Sequence, residues 1–106
     1  MRMEKRVLCE ERVRRVPARF SWVDHRIVRD GYIRRCSASA WGLYLFLTTV
    51  GDAEGLSYYS DRSVCRELSI TTDELVAVRN QLVEQEMLVW ESPLYQVLSV
   101  PERRQA

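Results

Sequence analysis

The sequence predicts a mainly α-helical chain with a small β-sheet, an α+β fold. Three features predict it. Apolar residues recur at helical spacing in residues 37–51 and again in residues 60–87. A helix-start signal divides the second of these segments at Thr71. Two short β-prone runs flank Ser92 and Pro93, which predicts a hairpin directly after the last helix.

The chain opens with a basic arm, residues 1–19. Its basic residues are Arg2, Lys5, Arg6, Arg12, Arg14, Arg15 and Arg19. A helix over residues 3–16 would have only a thin apolar stripe and would end at Pro17. An independent helix of this kind is marginal, so we expect either partial disorder or ordering of the arm against a partner.

Residues 20–31 are predicted to form a short extra helix before the main body of the fold. Ser21 is a candidate N-cap, and Gly31 is a natural residue at which to end the helix. Trp22 or Phe20 is expected to pack on the core.

The most apolar helix is predicted to begin at Ser37 or Ser39 and to end at Gly51. Residues 40–50 are apolar on nearly all sides, which is typical of a helix at the centre of a core or shared with a second subunit. Gly42 is less favourable than Ala by roughly 1 kcal/mol in a helix interior. We therefore expect another helix to pack closely against it.

Residues 60–87 predict two helices joined by a tight turn at residues 69–71. Ser60 is a candidate N-cap of the first helix. The second helix, residues 71–87, opens with the T-x-x-E spacing of a capping box at Thr71 and Glu74. Its buried face is predicted to contain Leu75, Val78 and Leu82.

Three short strands complete the prediction. Residues 87–91 and 94–100 form the two strands of a hairpin, and residues 56–59 form a strand that could pair with them. The order after the arm is therefore helix, helix, strand, helix, helix, strand, strand.

The pattern L-S-I-T-x-x-E-L, then V-R-N-Q-L-V-E, then M-L-V and a hairpin resembles the winged helix-turn-helix family. The resemblance covers roughly the last two-thirds of the chain. The segment FSWVDHRIVRDGYIRRCSASAWGLYLFL is also similar to winged-helix domains of phage and plasmid replication initiators and regulators. The resemblance implies a basic arm at residues 1–19, a winged helix-turn-helix domain at residues 20–100 and a tail at residues 101–106.

Charge is distributed unevenly along the chain. The formal net charge is only +1. Residues 1–36 contain eleven basic and five acidic side chains, a balance of +6, whereas residues 37–100 contain three basic and nine acidic side chains, a balance of −6. Because nucleic-acid affinity depends on local positive charge, the arm matters more than the net charge.

Composition and motifs restrict the possible functions. No apolar run reaches the roughly 18–20 residues that a membrane span needs, and the charged start lacks the apolar core of a signal peptide, so we expect a cytoplasmic protein. Three widely spaced cysteines and one histidine do not predict a metal site. No phosphate-binding glycine loop is present, and His25 beside Asp24 does not predict catalysis. We expect neither a cofactor nor an enzyme.

The first hypothesis is a small DNA-binding protein, a homodimer that acts as a transcription regulator or as a replication accessory of a mobile element. The second helix is expected to point Thr72, Arg79 and Asn80 outward, with Asn80 reading adenine and Arg79 reaching guanine or phosphate. The basic arm is expected to follow phosphate or enter the minor groove. The expected DNA-binding residues are Arg12, Arg14, Arg15, Arg19, Arg34, Arg35, Arg62, Thr72, Arg79 and Asn80.

The second hypothesis is a winged-helix module for dimerisation or protein docking that does not bind DNA directly. The negative balance of residues 37–100 and the apolar helix at residues 40–50 favour it. Its partner would be a second copy of the chain or a larger replication or recombination protein.

Overall fold

A computed structural model describes residues 4–102 of the chain. Over this range four α-helices and three strands follow in the predicted order, and the predicted α+β class is confirmed. The helices are α1 (Arg26–Arg29), α2 (Ala38–Val50), α3 (Asp61–Leu68) and α4 (Thr72–Glu84). The strands are β1 (Leu56–Tyr58), β2 (Leu88–Glu91) and β3 (Leu94–Val97). Two 3-10 helices are added at Glu10–Arg12 and Tyr32–Arg35.

The three strands form one antiparallel sheet in the order β1-β3-β2. Strands β2 and β3 form the predicted hairpin, in which Trp90 lies opposite Tyr95. Strand β1 pairs with the other edge of β3, with Ser57 opposite Tyr95. The prediction that the first strand joins the hairpin is therefore confirmed.

Short polar side chains begin the three longer helices. Ser37, Ser60 and Thr71 each accept a hydrogen bond from the backbone N–H three residues further on, at 3.1–3.2 Å. These bonds satisfy amide groups that have no partner within a helix, and they show that Ser37 rather than Ser39 starts α2. The Glu74 carboxylate contacts the Thr71 hydroxyl at 3.2 Å, so only half of the predicted capping box forms.

The link between α3 and α4 is a tight turn. Ser69 has a left-handed backbone conformation with φ 56°, which ends α3, and Ile70 packs against the core. Leu75, Val78 and Leu82 are buried on α4, as predicted. Helix α4 packs against α2, α3 and β2. The largest fully buried side chains are Tyr95, Leu43, Leu47, Leu75, Leu82, Met87, Leu88 and Val64.

The helix predicted over residues 20–31 is much shorter than expected. The Asp24 carboxylate accepts hydrogen bonds from the backbone N–H of Arg26 at 2.9 Å and from its guanidinium at 2.7 Å. This local turn precedes the helix, which begins at Arg26, so Ser21 lies too far upstream to cap it. Gly31 follows the helix with φ 80°, in agreement with its predicted role.

The expectation of close packing at Gly42 was wrong. A Cβ atom added there would meet no heavy atom within 4 Å, apart from its own helix. The glycine in α2 therefore leaves an open position and not a helix crossing point.

Candidate interaction surfaces

The exposed face of α4 is the surface predicted to contact DNA. Thr72 and Asn80 are exposed, as predicted, together with Val76, Ala77 and Val83. Acidic side chains border this face, and all of them are exposed: Asp73, Glu74 and Glu84 on the helix and Glu86 just after it. The exposed face of α4 is therefore apolar in its middle and negative at both ends.

Arg79 was expected on the same face, and this prediction was wrong. Only 4% of its surface is exposed. Its guanidinium donates a hydrogen bond to Asp61 at 2.9 Å and another to the Tyr95 hydroxyl at 2.8 Å. The guanidinium carbon also lies 3.5 Å from the centre of the Trp90 ring, in a cation–π contact. The buried side chain of Arg79 on α4 therefore contacts residues on α3, β2 and β3.

Helical spacing explains why Arg79 is buried. It lies four residues after Leu75 and three before Leu82, both on the buried face of α4. Burial by itself would lower the pKa of Arg79, but the hydrogen bonds with Asp61 and Tyr95 outweigh it and raise the pKa above its usual value. The guanidinium is therefore held charged by Asp61 and Tyr95 inside the fold, and at 4% exposure it is not presented to an external phosphate or base.

The elements next to α4 differ in their surface charge. Arg62 and Arg66 are exposed on α3, whereas the hairpin turn carries the exposed acid Glu91 and no basic residue. Arg62 on α3 was among the predicted DNA-binding residues, and its side chain is exposed next to α4.

The arginines of the arm within the described residues are exposed to solvent. Every residue from 4 to 23 is exposed, and only Glu10–Arg12 has regular structure, a single 3-10 turn. Within the described residues, none of the four predicted arm arginines makes an ion pair. These four are Arg12, Arg14, Arg15 and Arg19.

The second predicted pair, Arg34 and Arg35, lies in the 3-10 helix before α2. Both side chains are exposed. The Arg35 guanidinium lies 4.6 Å from the centre of the Tyr32 ring. Such a contact holds the side chain over the ring and keeps its charge at the surface.

A groove of about 1090 Å³ separates the end of the arm from α1 and α2. We call it the arm groove. Trp22 is 72% exposed and Phe20 66% exposed, so the expectation that one of them packs on the core was wrong. The apolar lining of the arm groove includes Val16, Phe20, Trp22, Val28, Ile33 and Leu45. Arg14, Arg15 and Arg29 also line it. The groove is therefore apolar with positive charge at its edge.

The arm groove and α4 lie on different sides of α2. Ala40, Leu43, Tyr44 and Leu47 are the buried residues of α2, which packs against α4, and Tyr44 also reaches the lining of the groove. Trp41 and Leu45, which line the groove, lie about 140° around the helix from Ala40, Leu43 and Leu47 at 100° per residue. The arm arginines at the groove are therefore not beside Thr72 and Asn80.

The chemistry available elsewhere is limited. Within residues 4–102, no group of three or more His, Cys, Asp and Glu side chains is arranged to hold a metal ion. Asp24 binds Arg26, which holds the pKa of that carboxyl down at about 2. Burial raises the pKa of the Cys36 thiol. No helix in this part of the chain is long and apolar enough to cross a membrane.

No protein-family model, curated protein or solved structure matches this chain. Function must therefore be inferred from the two surfaces themselves.

Proposed function

We propose that this chain is a winged-helix module for protein–protein interaction and that α4 does not read DNA. The order of helices and strands, with a hairpin directly after α4, supports the winged-helix assignment. The observation that carries the functional proposal is the burial of Arg79, because it removes the only cation of α4 from the surface.

Electrostatics favour a protein partner at α4. A helix that enters a groove of DNA approaches phosphates on both sides, and specific binding depends strongly on cations that neutralise them. Here Asp73 and Glu84 flank the exposed face, and each would repel phosphate. Val76 and Val83 occupy positions at which a DNA-reading helix would need hydrogen-bonding side chains.

The arm groove favours the same conclusion. Soluble monomers rarely expose a contiguous apolar patch of this kind, and such patches mark sites for proteins or other apolar ligands. Trp22, Phe20 and Leu45 would contribute large apolar area to an interface. The exposed arginines at its edge supply the polar rim that interfaces have.

In vivo photo-crosslinking tests the proposal. Trp22 or Val76 is replaced by benzoylphenylalanine in the full chain, produced in its native host, with exposed Gln96 as the control position. We expect protease-sensitive adducts with protein at positions 22 and 76 and none at position 96. Nuclease-sensitive adducts at position 76, without protein adducts at either surface, would overturn the proposal.

A second candidate function is contact with nucleic acid through the arm alone. The observation that favours it is the full exposure of the four arm arginines, none of which is paired within the described residues. Such contact would be independent of sequence and would weaken as salt rises. We expect Arg14→Ala with Arg15→Ala to weaken binding to all DNA sequences alike in a fluorescence anisotropy titration.

Asn80→Ala is the matched variant on α4. It is expected to leave DNA affinity unchanged for every sequence, because α4 makes no base contact in this proposal. A loss of about 1–3 kcal/mol confined to one base position would instead restore direct readout by α4.

A further inference from the structure

We propose that the arm groove of one copy binds the exposed face of α4 of a second copy, a pairing that rests on the interaction role proposed above. The two surfaces are complementary in charge, and each has an apolar area at which the other could pack. Each of them is also left uncovered by the rest of the chain.

The exposed face of α4 has the pattern of a helix that docks in a groove. Asp73, Val76, Asn80 and Val83 follow one another at spacings of three or four residues, Glu84 lies four residues after Asn80, and all five are exposed. Two valines therefore occupy the middle of the face, with an acid near each end. Anchors spaced in this way are typical of amphipathic helices bound in apolar grooves.

The arm groove offers the reverse arrangement. Its lining includes the apolar side chains of Trp22, Ile33 and Leu45 together with the arginines Arg14 and Arg15. The acid at this site, Asp24, is neutralised by Arg26 at 2.7 Å. An occupant with apolar centre and negative ends fits these groups better than a basic one does.

The dimensions are also compatible. Helix α4 has 13 residues, which corresponds to a length of roughly 20 Å. A groove of about 1090 Å³ can take several side chains of such a helix. The charge distribution along the chain, +6 in residues 1–36 and −6 in residues 37–100, agrees with a basic groove and an acidic α4 on each copy.

The geometry determines the kind of assembly. Because the groove and α4 lie on different sides of α2, one contact leaves a free groove on one copy and a free α4 on the other. The contact is therefore head-to-tail, and repeated copies form a ring or an open chain of subunits.

Sedimentation velocity of the full chain tests this pairing. We expect the average mass to rise with concentration above the 12.5 kDa of one chain, and to fall back when salt is raised from about 50 mM to about 500 mM. A monomer at every concentration and salt would overturn the pairing. Crosslinks from positions 22 and 76 to other proteins would then still support the proposed function, so the two failures are distinguishable.

Two variants separate the two sides of the contact. Leu45→Lys places a charge in the groove, and Val76→Lys places one on α4. Both residues are exposed, at 61% and 41%, so the fold should tolerate the change. Each variant alone should weaken self-association about tenfold or more. Val89 on β2 is 45% exposed, and Val89→Lys is the control that should leave self-association unchanged.

Mixing the two variants gives the decisive result. The Leu45→Lys variant keeps an intact α4, and the Val76→Lys variant keeps an intact groove. An equimolar mixture should therefore form a complex of two chains, twice the 12.5 kDa mass, that grows no further. Loss of association by both variants without rescue in the mixture would overturn the groove–α4 contact.

Discussion

The arginine of α4 and the arginines of the arm are chemically identical but are used in opposite ways. Arg79 is buried, hydrogen-bonded to Asp61 and Tyr95 and stacked on Trp90. Arg14 and Arg15 are exposed beside an apolar groove. The difference shows that the count of basic residues in a predicted helix says little about its surface charge. What matters is the position of each residue on the helix.

The largest expected effect compares one buried leucine with one exposed leucine. Leu82→Ala removes a side chain with no exposed surface from the core, and we expect a loss of about 2–5 kcal/mol in the free energy of unfolding. Leu45→Ala, on the groove side of α2, should change it by less than about 0.5 kcal/mol. Urea denaturation followed by circular dichroism measures both. Equal losses would show that α2 is buried on the groove side as well.

The next effect compares the two kinds of arginine. Arg79→Ala leaves Asp61 and Tyr95 without their partner and removes packing from Trp90, so we expect a loss of about 2–4 kcal/mol. Arg79→Lys keeps the charge but lacks the planar guanidinium, so its stability should lie between that of wild type and that of Arg79→Ala. Arg15→Ala should be neutral for stability. Thermal unfolding of the three variants tests this order, and a neutral Arg79→Ala would contradict the buried cluster.

A smaller effect of opposite sign is expected at Gly42. Since a Cβ atom there meets nothing within 4 Å, Gly42→Ala should stabilise the fold by roughly 0.5–1 kcal/mol through helix propensity. Gly55→Ala is the contrasting variant, because Gly55 has φ 81° and its Cβ would lie 2.6 Å from the Val97 carbonyl oxygen. In chemical denaturation, the free energy of unfolding of Gly42→Ala should be higher than that of wild type, and that of Gly55→Ala should be lower.

The smallest expected effect is a loss of stability at low pH, caused by protonation of Asp24. Hydrogen bonds from the guanidinium and from the backbone N–H of Arg26 lower the pKa of Asp24 from 3.8 to about 2 in the folded chain. The stability from this pair is therefore complete above pH 3.8 and is lost as the pH falls through about 2. An NMR titration of the Asp24 carboxyl carbon should show the low pKa. Arg26→Ala should return it towards its ordinary value, and no change would contradict the hydrogen bonds between them.

Local signals in the sequence predicted the fold well. Ser37, Ser60 and Thr71 cap helices because a short polar side chain before an apolar run has few other roles there. The hairpin followed from two β-prone runs around a turn. The short α1 was missed because the Asp24–Arg26 turn competes with the helix, and this competition depends on side-chain geometry.

The candidate surfaces were harder to predict. The burial of Arg79 depends on Trp90 and Tyr95, which lie on strands and become its neighbours only after folding. Its spacing from Leu75 and Leu82 was the one local signal available. Trp22 was expected in the core because large aromatic side chains usually lie there. It is instead 72% exposed in the lining of the arm groove, and those surroundings are set by the tertiary structure and not by any local pattern.

The contacts of Arg79 also have a consequence for how the molecule opens. One guanidinium of α4 contacts groups on α3, β2 and β3, so detachment of the hairpin alone would break its hydrogen bond to Tyr95 and its cation–π contact with Trp90. Partial unfolding at that end is therefore disfavoured, and the backbone amides of α3, α4, β2 and β3 should exchange with solvent as one cooperative unit.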